Sequence, residues 1–160
     1  MSKSYTSLTS EIEFRTALDT VLPLAGRELL IFDRDLVSLK LDDSLRIELL
    51  TGVLTQNHNC RIRIVVHNPL PAQQSAPRFM KFLLRFSHAI ACRQSPDNLL
   101  HLADSHVIAD DACGVRRFQH GQPRSALILN DPSYLLPWRQ RFEELWEVSS
   151  HCLSADTTGL

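Results

Sequence analysis

The chain has 160 residues, of which 44% are hydrophobic, enough for one packed soluble domain and too few for two ordinary ones. A formal net charge of −1 gives bulk electrostatics no reason to favour a polyanionic partner. No run approaches the roughly 18 to 20 apolar residues of a membrane helix. The opening MSKSYTSLTSEIEF has no apolar block of the kind a secretory signal needs, so a cytoplasmic location without membrane insertion is expected.

The elements follow in chain order. Ser10 and Glu13 have capping-box spacing, and Ile12, Phe14, Ala17, Leu18 and Val21 recur at helical intervals. A first helix is predicted over residues 11–22, ended by Pro23 and Gly26. ELLIF at 28–32 is a short apolar run suited to a buried strand, closed by a polar turn at 33–35. Residues 43–55 are predicted as a second helix with Leu45, Leu49, Leu50, Val53 and Leu54 buried. CRIRIVV at 60–66 alternates and then turns wholly apolar, as a strand does inside a parallel sheet.

The segment 68–77, NPLPAQQSAP, holds three prolines and is expected to be an irregular connection over the carboxyl edge of the sheet. A third helix over 78–87 shows Phe79, Leu83 and Phe86 on one face, and a strand follows at 89–92. Residues 105–109, 114–118 and 125–129 read as strands separated by Asp110-Asp111 and by a turn at 120–124. Asp131-Pro132 starts a helix that Pro137 should restart or kink. Its stripe of Trp138, Phe142, Leu145 and Trp146 suits either core or interface. The last ten residues are expected to be a frayed tail, giving one domain over 1–150 and a flexible tail over 151–160. Alternating helices and strands in the first half and clustered strands in the second predict an α/β sandwich, its mixed, mostly parallel sheet flanked by helices.

Charge and thiols add less. Between Leu49 and Ser95 there is no Asp or Glu, while Arg61, Arg63, Arg78, Lys81, Arg85 and Arg93 fall inside this stretch. It reads as a solvated surface or as a binding patch, since arginine suits bidentate phosphate contacts. Cys60, Cys92, Cys113 and Cys152 are widely spaced, without a C-x-x-C pair or a histidine at zinc-finger spacing, and read as reduced thiols.

The stretch His101 to Asp111, HLADSHVIADD, is the most informative. His101, Asp104, Asp110, Asp111 and His120 form a local His/Asp cluster whose ligand types suit several divalent ions. They also read as a polar strand end with solvated histidines, and no pair has a recognised ligand spacing, so no metal is assigned. Arg116, Arg117 and Arg124 flank the same loops as an anion site or as ordinary surface charge. With five glycines and neither a Gly-rich phosphate loop nor a G-x-S-x-G, no cofactor is expected.

The order of elements resembles one repeat of the phospholipase D-like superfamily along nearly the whole chain. ELLIFDRDL after the opening helix is similar to the family's first strand, NCRIRIVVHN to its second, DSHVIADD to its motif strand and RFEELW to its closing helix. A strand ending in Ala109-Asp110 is also similar to a group of proteobacterial phospholipase D-like modules. The resemblance implies a frame H-x-K-x-x-x-x-D ending on Asp110, in which the histidine attacks phosphorus, the lysine neutralises phosphoryl oxygens and a later G-S-x-N completes the pocket. In this chain Ala103 occupies the histidine position and Ser105 the lysine position. The Gly-Ser positions fall near Arg117 and Phe118, and the Asn near His120. Alanine has no nucleophile and serine no fixed charge.

Strand alternation places Ala103 and Ser105 on one side and His106 on the other, so His106 is a poor substitute nucleophile. The resemblance thus implies a catalytically silent module that binds a partner protein or a phosphate-bearing ligand, nucleic acid included, through Ser105, Arg116, Arg117 and Arg124. Two alternatives stand beside it. One is a phosphodiesterase-like or nuclease-like enzyme of changed chemistry using His101, Asp104, Asp110 and His120; the other is a purely structural homodimer with no ligand. Single-repeat members pair two motif strands across a two-fold axis, so a homodimer is expected.

Overall fold

Leu29, Leu30, Ile31 and Phe32 are all fully buried, so the strand that holds them must be covered on both faces. In a computed structural model, which describes residues 2–153, that strand is the centre of an eight-stranded sheet. The elements are β1 (Ser4–Leu8), α1 (Glu11–Val21), β2 (Glu28–Asp33), α2 (Ser44–Gln56), β3 (Arg61–Val66), α3 (Leu70–Ser75) and α4 (Pro77–Arg85). There follow β4 (Ile90–Gln94), β5 (Ser105–Ala109), β6 (Cys113–Arg117), β7 (Ser125–Leu129), α5 (Pro132–Val148) and β8 (Ser150–His151). Across the sheet the order is β1-β7-β6-β5-β2-β3-β4-β8.

The sheet is mixed, as expected, but not mostly parallel. Only β2–β3 and β3–β4 run parallel; the other five pairings are antiparallel. The reason lies in the connections: β5, β6 and β7 follow one another through short turns, which admit only antiparallel neighbours. Strand β1 was not expected, because four of its five residues are exposed and SYTSL has no apolar alternation. It is held by its pairing with β7.

Leu29 and Ile31 join a large core with α1, α2 and α4, while Leu30, Phe32, Val65 and Ile108 join a second core with α5. The capping box of α1 is present, with the Glu13 N–H donating to Ser10 Oγ at 3.1 Å. In α2 the buried face is Arg46, Leu50, Val53 and Leu54, whereas Leu45, expected inside, is exposed. Arg46 takes the inner place because Asp19 waits there, its Oδ1 3.0 Å from Arg46 Nε.

The proline-rich segment is not irregular throughout, since it contains α3. Pro71 and Pro77 lie in the first turns of α3 and α4, where a missing N–H costs no hydrogen bond. Helix α5 runs unbroken through Pro137, which is exposed together with Ser133, whose carbonyl loses that donor to water. Residues 151–153, expected in a flexible tail, belong to the fold instead: β8 pairs with β4, and Cys152 and Leu153 are buried. Residues 154–160 lie outside the described ones. Among the described residues no helix is long and apolar enough to cross a membrane.

The stripe of α5 is core. Trp138, Phe142, Leu145 and Trp146 are buried against Leu30, Phe32 and Ile108. Two sheet arginines lie against its rings, Arg63 at 5.5 Å from Phe142 and Arg93 at 4.2 Å from Trp146. Arg63 also bonds Glu143 of α5 at 3.0 Å and Glu28 of β2 at 3.4 Å. Two of the six cations of the acid-free block, Arg63 and Arg93, therefore serve packing. Phe142→Ala should lower unfolding free energy by about 3–5 kcal/mol, by the same amount at every protein concentration. Urea denaturation at two concentrations checks this, and a loss confined to dilute solution would move the stripe into an interface.

Candidate functional site

β5 runs antiparallel to β2, in register Phe32 with His106, so the start of β5 lies beside the carboxyl ends of the parallel strands. That edge is where open α/β sheets receive ligands. His67 and Asn68 follow β3, Arg34 follows β2, and Leu100, Leu102 and Ala103 lead into β5. Together with His120 they line a cleft of about 360 Å³. Ala103, at the nucleophile position of the motif frame, thus opens into the cleft with only a methyl group.

Ser105, at the lysine position and expected on the same side as Ala103, faces away from that opening, because regular strand alternation begins only at Ser105. Its hydroxyl donates to Oδ1 of Asp33, a carboxylate with no exposure to solvent. The same carboxylate accepts the N–H of Leu36 at 2.7 Å and of Asp35 at 3.2 Å, and Ser38 Oγ lies 3.4 Å away. These bonds fold the segment after β2 into a tight loop in which Leu36 and Lys40 have positive φ. Ser105 is therefore a structural donor and not a ligand-facing group.

His67 is the best placed imidazole, and both its nitrogens are engaged. Nε2 lies 2.7 Å from the Leu102 carbonyl, which only accepts, so Nε2 carries the proton. Nδ1 then accepts from the Ser95 hydroxyl. The ring is buried, edge-on to Phe32, and props the strand approach to Ala103. Neither His67 nor Arg34 stood out in the sequence; the signal available was a polar pair, His67-Asn68, at the end of an apolar parallel strand.

Asp104 and His106 point to the opposite face, toward α5. Arg141 grips Asp104 with two bonds, at 2.6 and 2.7 Å, and Arg116 adds a third at 3.2 Å. Burial works to raise the Asp104 pKa, but the His106 ring and Arg141 outweigh it and hold the carboxyl well below its usual range. His106 Nδ1 is 3.8 Å from Asp104, beyond hydrogen-bond reach. Enclosed by Phe32 and Phe142, its pKa is pushed down by burial, with Asp104 opposing. As alternation predicted, His106 does not share the side of Ser105.

The remaining candidates are dispersed. Asp110 lies at the far end of β5, where it accepts the N–H groups of Gly26, Arg27 and Glu28 at 2.8–3.2 Å. His101 is exposed on the loop before β5, and Asp111 reaches toward Arg27 at 3.9 Å. Of the cluster, only His120 lines the cleft, held there by its N–H on the Ala103 carbonyl at 2.6 Å. Among the described residues no three His, Cys, Asp or Glu side chains converge as metal ligands. Arg116 and Arg117, adjacent on β6, face opposite sides. Arg117 is buried with Glu11 and lies 4.1 Å over Phe14, while Arg124 is 5.8 Å from the Phe118 ring. They do not converge into one anion site.

This architecture is that of the phospholipase D-like proteins. The chain is similar to Nuc of Salmonella typhimurium, a phospholipase D family member, at 12% identity and a TM-score of 0.65 over 94% of this chain and 99% of that one. It is similar to NucT of Helicobacter pylori at 11% identity and a TM-score of 0.58, covering 94% and 100%. TrmBL2, an archaeal chromatin protein that binds DNA, matches at 12% identity and a TM-score of 0.66, over 92% of this chain and 54% of that one. This chain thus spans about half of TrmBL2, and at such identities the likeness is one of fold. No curated protein matches the sequence. The chain belongs to the family described as domain of unknown function DUF7931, whose model matches residues 8–155.

The buried polar pair predicts a two-stage acid response. Unfolding lets His106 protonate near its ordinary 6.5, so stability is full above that value and falls as pH drops below it. Asp104, held low when folded, contributes stability above about pH 4 that is lost as pH falls further. Urea denaturation at stepped pH should show both stages. His106→Leu should remove the first and keep the second; Asp104→Asn should cost about 3–5 kcal/mol at pH 7 by stranding Arg141.

Proposed function

We propose that this chain is a catalytically silent phospholipase D-like module that works by binding, in a cytoplasmic setting. The observation that carries this reading is the pair Ala103 and Ser105: the first puts a methyl group into the cleft, the second gives its hydroxyl to Asp33. His67 does not replace the missing nucleophile, because its free lone pair is occupied by Ser95. The ligand supported by the lining is a small phosphate-bearing molecule. Arg34 is exposed, has no acidic partner among the described residues, and shares the cleft with Asn68 and His120 and with no carboxylate.

Two measurements test this reading. Purified protein should show no hydrolysis of bis(p-nitrophenyl) phosphate or DNA above background, with or without divalent metal. Turnover that survives repurification and disappears in His67→Ala or His120→Ala would overturn it. Pyrophosphate or nucleotide at about a hundred times its Kd should raise Tm by roughly 5–10 °C, and Arg34→Ala should abolish that shift.

The module is proposed to act as a homodimer. Support comes from an exposed aromatic and aliphatic patch, Tyr5, Tyr134 and Leu136, beside the edge strand β1, with the two tyrosine rings 5.6 Å apart. Light scattering at micromolar concentration should return about twice the chain mass of 18.2 kDa, whereas the single mass would leave a different protein as the partner.

A further inference from the structure

Strand β8 returns antiparallel to β4, pairing His151 with Arg93 and Ser150 with Gln94. One residue further along the same register, Cys152 lies opposite Cys92 and donates its N–H to the Cys92 carbonyl at 2.9 Å. The two sulfurs meet at 3.3 Å, and both side chains are buried. All four cysteines are free thiols in this structure, and among the described residues this is the one sulfur–sulfur hydrogen bond. Neither thiol lines the cleft at the carboxyl edge.

We propose that Cys92 and Cys152 form a reversible disulfide on reaction with a two-electron oxidant such as hydrogen peroxide, clamping the last described strand to the sheet edge. The geometry needs little change. A disulfide brings its sulfurs to about 2.05 Å, so the pair must close by a little more than an ångström. β8 can yield by that much, because it is two residues long, exposed, and bonded to the sheet on one side only. A pair fixed between two central strands would have no such freedom.

The two thiols are unequal in the way the chemistry requires. Either sulfur can donate across the 3.3 Å contact while both are thiols; once Cys152 ionises, the Cys92 S–H donates to its thiolate, so this bond favours ionisation at Cys152, and the same bond with burial keeps Cys92 protonated. The Cys152 thiolate attacks one peroxide oxygen, the O–O bond breaks, and hydroxide leaves, giving a sulfenic acid. The Cys92 sulfur then attacks the Cys152 sulfur; the S–O bond breaks, and the hydroxyl leaves as water with the Cys92 proton. Overall the two thiols lose two electrons and two protons, and peroxide becomes two molecules of water. The new bond closes a loop from residue 92 to 152 that contains β5, β6, β7 and α5. Oxidation therefore restrains the motif strand and the closing helix together.

Treatment of the full chain with a few equivalents of hydrogen peroxide tests this proposal, with reduced wild-type protein as the reference. Intact mass should fall by about 2 Da, two of the four thiols should become unreactive, and proteolysis should yield a linked peptide containing Cys92 and Cys152. Tm should rise by roughly 5–10 °C and return on reduction. Cys60→Ser and Cys113→Ser should still lose the 2 Da, whereas Cys92→Ser and Cys152→Ser should not. Gains of roughly 16 or 32 Da without a linked peptide, a link through Cys60 or Cys113, or no mass change at a hundredfold excess would overturn it. None of these readouts depends on what the cleft binds.

Discussion

A carboxylate sealed from water sits at the end of the central strand, and the carboxyl edge of the sheet is arranged around it. Burying Asp33 would be prohibitive without donors, and among the described residues it has no arginine or lysine within bonding distance. The compensation comes from two backbone N–H groups of the following loop and two hydroxyls, Ser38 and Ser105. One interaction therefore sets three features: the tight loop with Leu36 at positive φ, the position of the motif strand beside β2, and the residue type at 105. Ser105, at the position that the phospholipase D-like motif gives to lysine, points inward and holds the fold.

Arginine has been redirected in the same way. Arg63, Arg93, Arg116 and Arg141 lie between the sheet and α5, each against an aromatic ring and most with a carboxylate partner. Planar guanidinium groups suit such a layer, since they stack on rings while bonding in the plane. Arg117 does the same against α1. The cations left over for an external ligand are fewer than composition implies, and Arg34 is the one in the cleft.

Much of the fold was legible because its period was regular. ELLIF, CRIRIVV and the strands at 105–109 and 125–129 carry apolar patterns that only buried strands explain, and the capping box at Ser10 marked its helix correctly. What was not legible depended on long-range partners. β1 is a strand because β7 is there to pair with it; Arg46 is inside because Asp19 is there to meet it; residues 150–153 are ordered because β4 leaves an edge free. The site followed the same rule. Alternation, a local property, set His106 opposite Ser105, but it did not carry to Ala103, which precedes the strand and lines a cleft from which Ser105 is turned away; the scattering of Asp104, Asp110 and His120 followed from how β5 lies against β2, β6 and α5. Their closeness in sequence carried no information about that.

Asp110 illustrates a wider point about reading motifs. It alone keeps its place in the H-x-K-x-x-x-x-D frame, yet its oxygens are occupied by three consecutive N–H groups at the start of β2, at the opposite end of β5 from the cleft. Its backbone, at φ 54, turns the chain from β5 toward β6. Such a residue answers to folding, so its presence in the frame carries no information about turnover. A search that gives equal weight to every letter of a catalytic signature will take this anchoring as a trace of activity, when what it detects is the knot that ties two strands together.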